Sequence, residues 1–133
     1  MKQRAITLLV VVCAATLTGC ISPRTSGIMV EKGRLHVEDP AFAANIELIG
    51  DADACEKTPE GFLHAQATVK NTNREDFYCQ YRFEWRGKNG MMQTQAPTPW
   101  RPKVLHGRET VELEAVSPIQ GTEDFRLVVR RLD

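Results

Sequence analysis

Four cysteines are the residues of this sequence whose type and spacing most plainly suggest chemistry. Two basic residues near the start, Lys2 and Arg4, precede a short apolar run over residues 6–15. Leu17-Thr18-Gly19 and then Cys20 follow that run. A basic start, a short apolar stretch and small residues before a cleavage point are typical of a secretory signal peptide. The apolar run is roughly half of the ~20 residues that a transmembrane helix needs. We therefore predict that residues 1–19 are a cleaved leader and not a membrane span.

The motif Leu17-Thr18-Gly19-Cys20 resembles the lipobox of bacterial lipoproteins. This resemblance implies cleavage before Cys20, thioether attachment of diacylglycerol to its sulfur, and acylation of the new amine. Each CH₂ buried in lipid contributes about 0.8 kcal/mol, so several chains on one residue anchor a protein stably. In the sorting pattern of Gram-negative lipoproteins an Asp after the cysteine favours the inner membrane. Ile21 stands there instead, which implies anchoring through acylated Cys20 at the periplasmic face of the outer membrane.

Cys55 and Cys79 would remain beside Cys20, because Cys13 lies in the leader. An even pair in an exported chain is typical of a disulfide, which persists in oxidising compartments. Such a bridge would close a loop of about 25 residues and stabilise the fold by roughly 3 kcal/mol. We predict a bridge between Cys55 and Cys79, with two buried free thiols as the alternative.

The other candidates for catalysis or metal binding do not form a recognised constellation. The histidines His36, His64 and His106 are far apart in sequence and lack the close pairing of common zinc sites. The acidic residues between positions 51 and 60 do not follow the register of an EF-hand calcium loop. The sequence contains no Gly-x-Ser-x-Gly elbow. We therefore expect no catalytic residues, no metal and no cofactor, and predict that the protein is not an enzyme.

The segment 97–102 places Trp100 and Arg101 among three prolines. A polyproline-like stretch can present a preformed docking surface at low entropic cost. The alternative is a crossing between sheets, in which Trp100 closes one end of the core and buries apolar surface worth about 2 to 3 kcal/mol. The charged stripe around Arg82 is typical of a solvated strand face, with partner steering as the alternative. Trp100, Arg101 and Arg82 are our candidates for a partner-binding surface.

Beyond Phe42, apolar and polar residues alternate with a period of two, which is typical of half-buried strands. The alternation predicts strands over 46–48, 63–70, 79–86, 111–115 and 125–129. Asn71-Thr72-Asn73 separates the second strand from the third, and Asn89-Gly90 suits a tight hairpin turn. Helical periodicity is missing. These features predict an all-β fold, an immunoglobulin-like antiparallel β-sandwich.

Length and composition fit one domain behind a tether. Without the leader, 133 − 19 = 114 residues remain, too few for two independent cores. Residues 20–41 mix Ser, Pro, Thr, Gly and charged residues with isolated apolar ones, so we predict a lipidated cysteine and a flexible tether there. A short strand at 28–30 or 35–37 is the alternative. The sandwich domain is predicted to span 42–133.

The charge balance argues against a nucleic-acid partner. The leader holds two basic and no acidic residues, so the rest of the chain has 17 − 2 = 15 Lys and Arg against 17 Asp and Glu, or −2. A nucleic-acid binder would show a clustered basic excess.

Several short stretches together resemble the YcfL family of small Gram-negative lipoproteins. They are Val69-Lys70-Asn71, the strand from Gln80 to Trp85, Gly90, Trp100, His106-Gly107 and Phe125-Arg126-Leu127. The likeness covers roughly residues 62–131. It implies an immunoglobulin-like sandwich behind a lipid anchor, in a family of unknown function with no catalytic residues to carry over.

The predicted location at the outer membrane and the predicted β-sandwich together suggest a function. We expect a non-enzymatic accessory module of the cell envelope, which binds another envelope protein or the cell wall. The alternative is a carrier that holds a small molecule or lipid in a cavity between the sheets. Large residues on the inward strand faces, among them Tyr81, Phe83 and Trp85, argue for a filled interior.

Overall fold

A computed structural model describes residues 27–31, 34–50, 54–95 and 98–132. The predicted leader and Cys20 lie outside these described residues. Within them, the regular structure is almost entirely β. The strands are β1 (Ile28–Glu31), β2 (Arg34–Val37), β3 (Ile46–Ile49), β4 (Cys55–Lys57), β5 (Leu63–Asn71), β6 (Phe77–Arg86), β7 (Arg101–Leu105), β8 (Thr110–Val116) and β9 (Asp124–Arg131), with one short helix, α1 (Pro40–Ala43).

The strands form two antiparallel sheets. The larger sheet has the order β2-β1-β9-β6-β7. In the smaller sheet, β8 pairs with β5 from His64 to Lys70, while β3 and β4 also pair with β5. Because β8 occupies one edge of β5, β3 and β4 follow each other along the opposite edge. The predicted all-β antiparallel sandwich is confirmed.

The core lies between the two sheets and follows from the period-two alternation. Along β5 every odd-numbered residue from Leu63 to Asn71 is buried, and the residues between them are half-buried. Aromatic rings from β6 and β9 fill the space opposite. The ring centroids of Phe83 and Trp85 are 5.8 Å apart in a stacked arrangement, and those of Phe83 and Phe125 are 5.5 Å apart. The long strands thus bury one face and leave the other toward solvent, whereas β2 and β4 are exposed throughout.

The sandwich begins before residue 42, where the sequence placed its start. Ile28 and Val30 on β1 are each only 1% exposed, and β1 pairs with the central strand β9. The chain then enters α1, where the Asp39 carboxylate accepts a hydrogen bond from the Ala41 N–H at 3.0 Å. Phe42 from α1 packs tightly on Gly27, since a Cβ there would lie 2.5 Å from Phe42 Cδ1. The tether prediction for residues 20–41 is therefore corrected from residue 27 onward.

The two predicted turns differ in how they are built. The residues after β6 turn back at Gly90, whose φ of 71° suits glycine, and Met92 forms an isolated bridge with Arg86. Asn71, in contrast, is fully buried at the end of β5. Its Nδ2 donates to the carbonyl oxygens of Glu75, Leu105 and His106 at 2.7 to 3.1 Å. Asn71 therefore ties the loop after β5 to the end of β7.

Among the described residues, no helix is both long and apolar enough to cross a membrane.

Candidate functional site

The outer face of the larger sheet carries the most organised group of polar side chains among the described residues. Alternation along β6 points Tyr78, Gln80, Arg82 and Glu84 away from the core, while Phe83 and Trp85 point into it. From β9, Arg126 and Arg130 reach the same face, because they pair with Glu84 and Gln80 respectively. Two central strands therefore place these side chains side by side.

Trp100 lies over this face. Its half-buried ring is contacted by two guanidinium groups, with Arg82 Cζ 4.5 Å and Arg130 Cζ 3.9 Å from the ring centroid. Both distances are within the range of cation–π attraction. Arg130 is also oriented by Gln80, whose side-chain oxygen accepts from Arg130 Nε at 3.1 Å and Nη2 at 3.0 Å. Trp100 thus packs on the outside of the sheet and takes no part in the core.

Glu84 is the single carboxylate at the centre of this group. Its side chain is 8% exposed and forms ion pairs with Arg82 and Arg126. Arg126 Nε donates to Glu84 Oε2 at 2.6 Å. A carboxylate this deeply buried is stabilised only by such charge-assisted hydrogen bonds. The two guanidinium groups therefore share one negative charge.

A pocket of about 200 Å³ adjoins Arg82 and Glu84. It forms because β7 pairs with β6 only as far as Tyr81. Beyond that point the returning chain covers the same edge of β6: Gln93 N donates to Trp85 O at 2.8 Å, and Thr98 Oγ1 donates to Phe83 O. Met92, Gln93, Thr94 and Thr98 line one side of the pocket, and Arg82, Glu84 and Trp85 line the other. We call this space the Arg82 pocket.

The three predicted partner-binding residues divide between two faces. The structure brings Trp100 and Arg82 into contact. Arg101 pairs in register with Tyr81, whose side chain packs against the core. Arg101 therefore lies on the same face as Tyr81, opposite to the face that carries Trp100 and Arg82, and is exposed at the edge strand β7. The prediction that Trp100 closes one end of the core is wrong, because the ring stacks on outward-pointing arginines. Pro97 lies outside the described residues.

The predicted bridge between Cys55 and Cys79 is absent from the structure, where both residues are thiols on different sheets. Cys55 is exposed on β4 at an edge of the smaller sheet, where it pairs with Ala65. Cys79 is buried on the central strand β6 of the other sheet, between Lys103 and Arg131 in register. Burial raises the pKa of the Cys79 thiol to about 11, and the nearby Lys103 lowers it in part. Cys79 is therefore a neutral, poorly nucleophilic thiol at physiological pH.

The histidines are dispersed. His64 lies on the outer face of the smaller sheet with its Nε2 3.2 Å from Glu114 Oε2, and His106 Nδ1 lies 3.2 Å from Asp76 Oδ2. His36 is exposed on β2. Among the described residues, no three His, Cys, Asp or Glu side chains group in a way that could hold a metal ion. Asp51 and Asp53 of the acidic segment lie outside those residues.

Sequence reasoning missed Glu84 and Arg130 as members of the group around Trp100. The stripe Arg82-x-Glu84 was visible, but alternation alone predicts only that such residues face outward. The pairing of β6 with β9 brings in Arg126 and Arg130. They lie 42 and 46 residues after Glu84 in the sequence. No local signal could have revealed them.

Comparison with known proteins identifies the family. A family model described as a protein of unknown function (DUF1425) matches residues 33–131. The chain belongs to the DUF1425 family. The matched range includes β2 through β9, and with them the whole group of side chains around Trp100 and Glu84. Comparison with curated proteins gives no significant match.

Two solved structures resemble the chain. A DUF1425 family member from Shewanella sp. pv-4 is 27% identical with a TM-score of 0.60, and the match covers 80% of this chain and 97% of that one. The Campylobacter jejuni protein cj0090 is 15% identical with a TM-score of 0.53, over 59% of this chain and 81% of that one. The first likeness agrees with membership of DUF1425, and the second concerns the fold alone.

Proposed function

We propose that this DUF1425 protein is a lipid-anchored, non-enzymatic accessory module at the periplasmic face of the outer membrane, where it binds another envelope component. The observation that carries the proposal is Leu17-Thr18-Gly19-Cys20 behind a short apolar leader. The resemblance to the YcfL lipoproteins supports the same assignment and the YcfL-like name.

The length of chain between anchor and fold supports a role close to the membrane. Cys20 and Gly27 are 27 − 20 = 7 residues apart, and each residue spans at most ~3.6 Å, so the connection reaches no further than roughly 25 Å. Gly27 is fixed to the sandwich, since its N–H donates to Val129 O at 2.9 Å. A lipid on Cys20 would hold the domain within about one domain diameter of the bilayer.

The packing between the sheets favours an interaction module over a carrier. Phe83, Trp85 and Phe125 fill the described interior with rings in contact. The outer face of the larger sheet, in contrast, carries Trp100 and an exposed Tyr78, which is 53% accessible. Aromatic and arginine side chains are the residue types that dominate binding energy in protein interfaces. The carrier hypothesis stays a prediction from the sequence.

Metabolic labelling with an alkyne analogue of palmitate tests the anchor. We expect label on the wild-type chain and on Cys55→Ser, and none on Cys20→Ala. Fractionation adds a matched variant, because Ile21→Asp should move the labelled protein toward the inner membrane. Recovery of an unlabelled wild-type chain that still begins with Met1 would exclude a lipoprotein.

Photocrosslinking in living cells tests the interaction. A photoreactive residue at Tyr78 reports on the outer face of the larger sheet, and one at the exposed Glu112 reports on the smaller sheet. We expect one reproducible crosslinked species from position 78 that is missing from position 112. Equal patterns at both positions, or no species at 78, would refute a specific interface on that face.

A further inference from the structure

We infer that the Arg82 pocket binds a carboxylate group. This inference deepens the proposed function and rests on it only for the source of the carboxylate, an envelope protein or a cell-wall peptide.

The local charge is positive. Arg82, Arg126 and Arg130 bring three guanidinium groups together, and Glu84 is the only carboxylate that contacts them within the described residues. Arg130 is held by neutral partners, the Gln80 amide and the Trp100 ring. Along the same face, Arg86 is neutralised by Glu31, and Asp124 pairs in register with Arg86 at the far end of the strands. The group beside the pocket thus keeps an excess of positive charge, which attracts an anion.

Two of the residues that line the pocket each carry a buried donor with no acceptor within the described part of the chain. The two donors are Nε of Arg82 and Nε1 of Trp85. Trp85 as a whole is only 2% exposed. Buried N–H groups without an acceptor are uncommon in folded proteins and costly, so each calls for a partner. Because Arg82 points away from the core and Trp85 points into it, a carboxylate in the pocket, which only accepts hydrogen bonds, would pair with the Arg82 donor.

The shape of the pocket suits a small group at the end of a chain. Its volume of about 200 Å³ is below the ~300 Å³ at which drug-sized sites begin. Met92 and Trp85 supply apolar walls, and Gln93, Thr94 and Thr98 supply further polar groups. The pocket can therefore enclose a carboxylate and the carbon atoms next to it. Larger parts of the partner would lie outside, on the face that carries Trp100.

Titration of the full chain in neutral detergent micelles tests the inference by NMR. The probes are sodium acetate, N-acetyl-alanyl-alanine with its terminal carboxylate, the α-amide of N-acetylglutamate with only a side-chain carboxylate, and neutral N-acetyl-alanyl-alaninamide. We expect a saturable shift of the Trp85 indole N–H signal with the three carboxylates and none with the neutral amide. Stronger binding of the second or third probe tells a terminal from a side-chain carboxylate.

Substitutions make the test specific. Arg82→Gln should weaken carboxylate binding at least tenfold, whereas Arg131→Gln, on an exposed arginine at the far end of β9, should leave it unchanged. The inference is overturned if no probe gives a saturable shift, if the neutral amide binds equally well, or if Arg82→Gln binds like wild type. None of these outcomes depends on whether Cys20 carries lipid.

Discussion

The two outer faces of the sandwich carry their charges in different ways. On the larger sheet, Glu84 is 8% exposed and is enclosed by Arg82 and Arg126. On the smaller sheet, Glu114 and Glu56 are 62% and 82% exposed on either side of His64. Alternation sends charged side chains outward on both sheets. Among the described residues, it is on the larger sheet that the chain returns over the charged side chains, through Trp100 and the residues after Met92, and shields them from water.

This difference teaches that an outward-facing charge becomes energetically important when another segment covers it. Ion pairs in water contribute little, because solvent already stabilises each charge. A covered charge has lost that solvation and depends on its partners. Four predictions test the contrast, beginning with the largest expected effect.

Glu84→Ala should destabilise the protein by about 3 kcal/mol, since it leaves two guanidinium groups without their shared carboxylate. We choose the lower end of the range for buried pairs because Arg82 and Arg126 are 34% and 26% exposed. Urea denaturation followed by circular dichroism measures the loss. The matched control is Glu112→Ala on the smaller sheet, whose effect should stay within about 0.5 kcal/mol. Equal effects of the two substitutions would remove the contrast between the faces.

The buried thiol of Cys79 should make stability fall in alkaline solution. Its pKa is raised from 9.0 to about 11 by burial, so the unfolded chain loses this proton at lower pH than the folded chain. The folded state therefore loses about 2 to 3 kcal/mol between pH 9 and pH 11 from this group, and nothing below pH 9.

Comparison of wild type with Cys79→Ala isolates this contribution, because tyrosines and lysines titrate in both. The variant should be less sensitive to pH between 9 and 11, as measured by urea denaturation at each pH. Exposed Cys55, on the smaller sheet, provides the matched control: Cys55→Ala should keep the wild-type slope. A slope that is the same in all three proteins would contradict the burial effect at Cys79.

Trp100→Ala should cost about 1 to 2 kcal/mol, the sum of two cation–π contacts at a partly exposed site. Trp100→Phe keeps a ring over Arg82 and Arg130 and should cost less than half as much. Urea denaturation again provides the measurement. If alanine and phenylalanine were equally destabilising, the stacking on the two arginines would not be the source of the effect.

The smallest effect is expected at His64 and Glu114 on the smaller sheet. Their atoms Nε2 and Oε2 are 3.2 Å apart, but Glu114 is largely exposed. A double-mutant cycle with His64→Gln and Glu114→Gln should give a coupling below about 0.5 kcal/mol. The coupling should vanish in 0.5 M salt, which screens exposed charges. A large, salt-resistant coupling would show that this face is covered in solution.

The sequence predicted five of the described strands and missed others for identifiable reasons. The predicted strands at 46–48, 63–70, 79–86, 111–115 and 125–129 all match strands of the structure, because each has one apolar face in strict alternation. β4 has three residues, too few for a pattern. β7 contains Pro102, which argues against a strand but is tolerated here because β7 is an edge strand. β1 and β2 match the strands at 28–30 and 35–37 that the sequence offered as the alternative to a tether, and the pairing of β1 with β9 could not be predicted from any local pattern.

The pattern of amino acids alone sets which side of each long strand is buried, because successive side chains of a strand point in opposite directions whatever the fold. The sequence also contains the motif Leu17-Thr18-Gly19-Cys20, on which the proposed location at the outer membrane depends. The contacts of Trp100 with Arg82 and Arg130, and of Arg126 with Glu84, arise from strand pairing and from the chain segment that returns over the sheet. The physical reason is that a side chain's direction is a local property, while its neighbours depend on which strands pair and which segment returns over them.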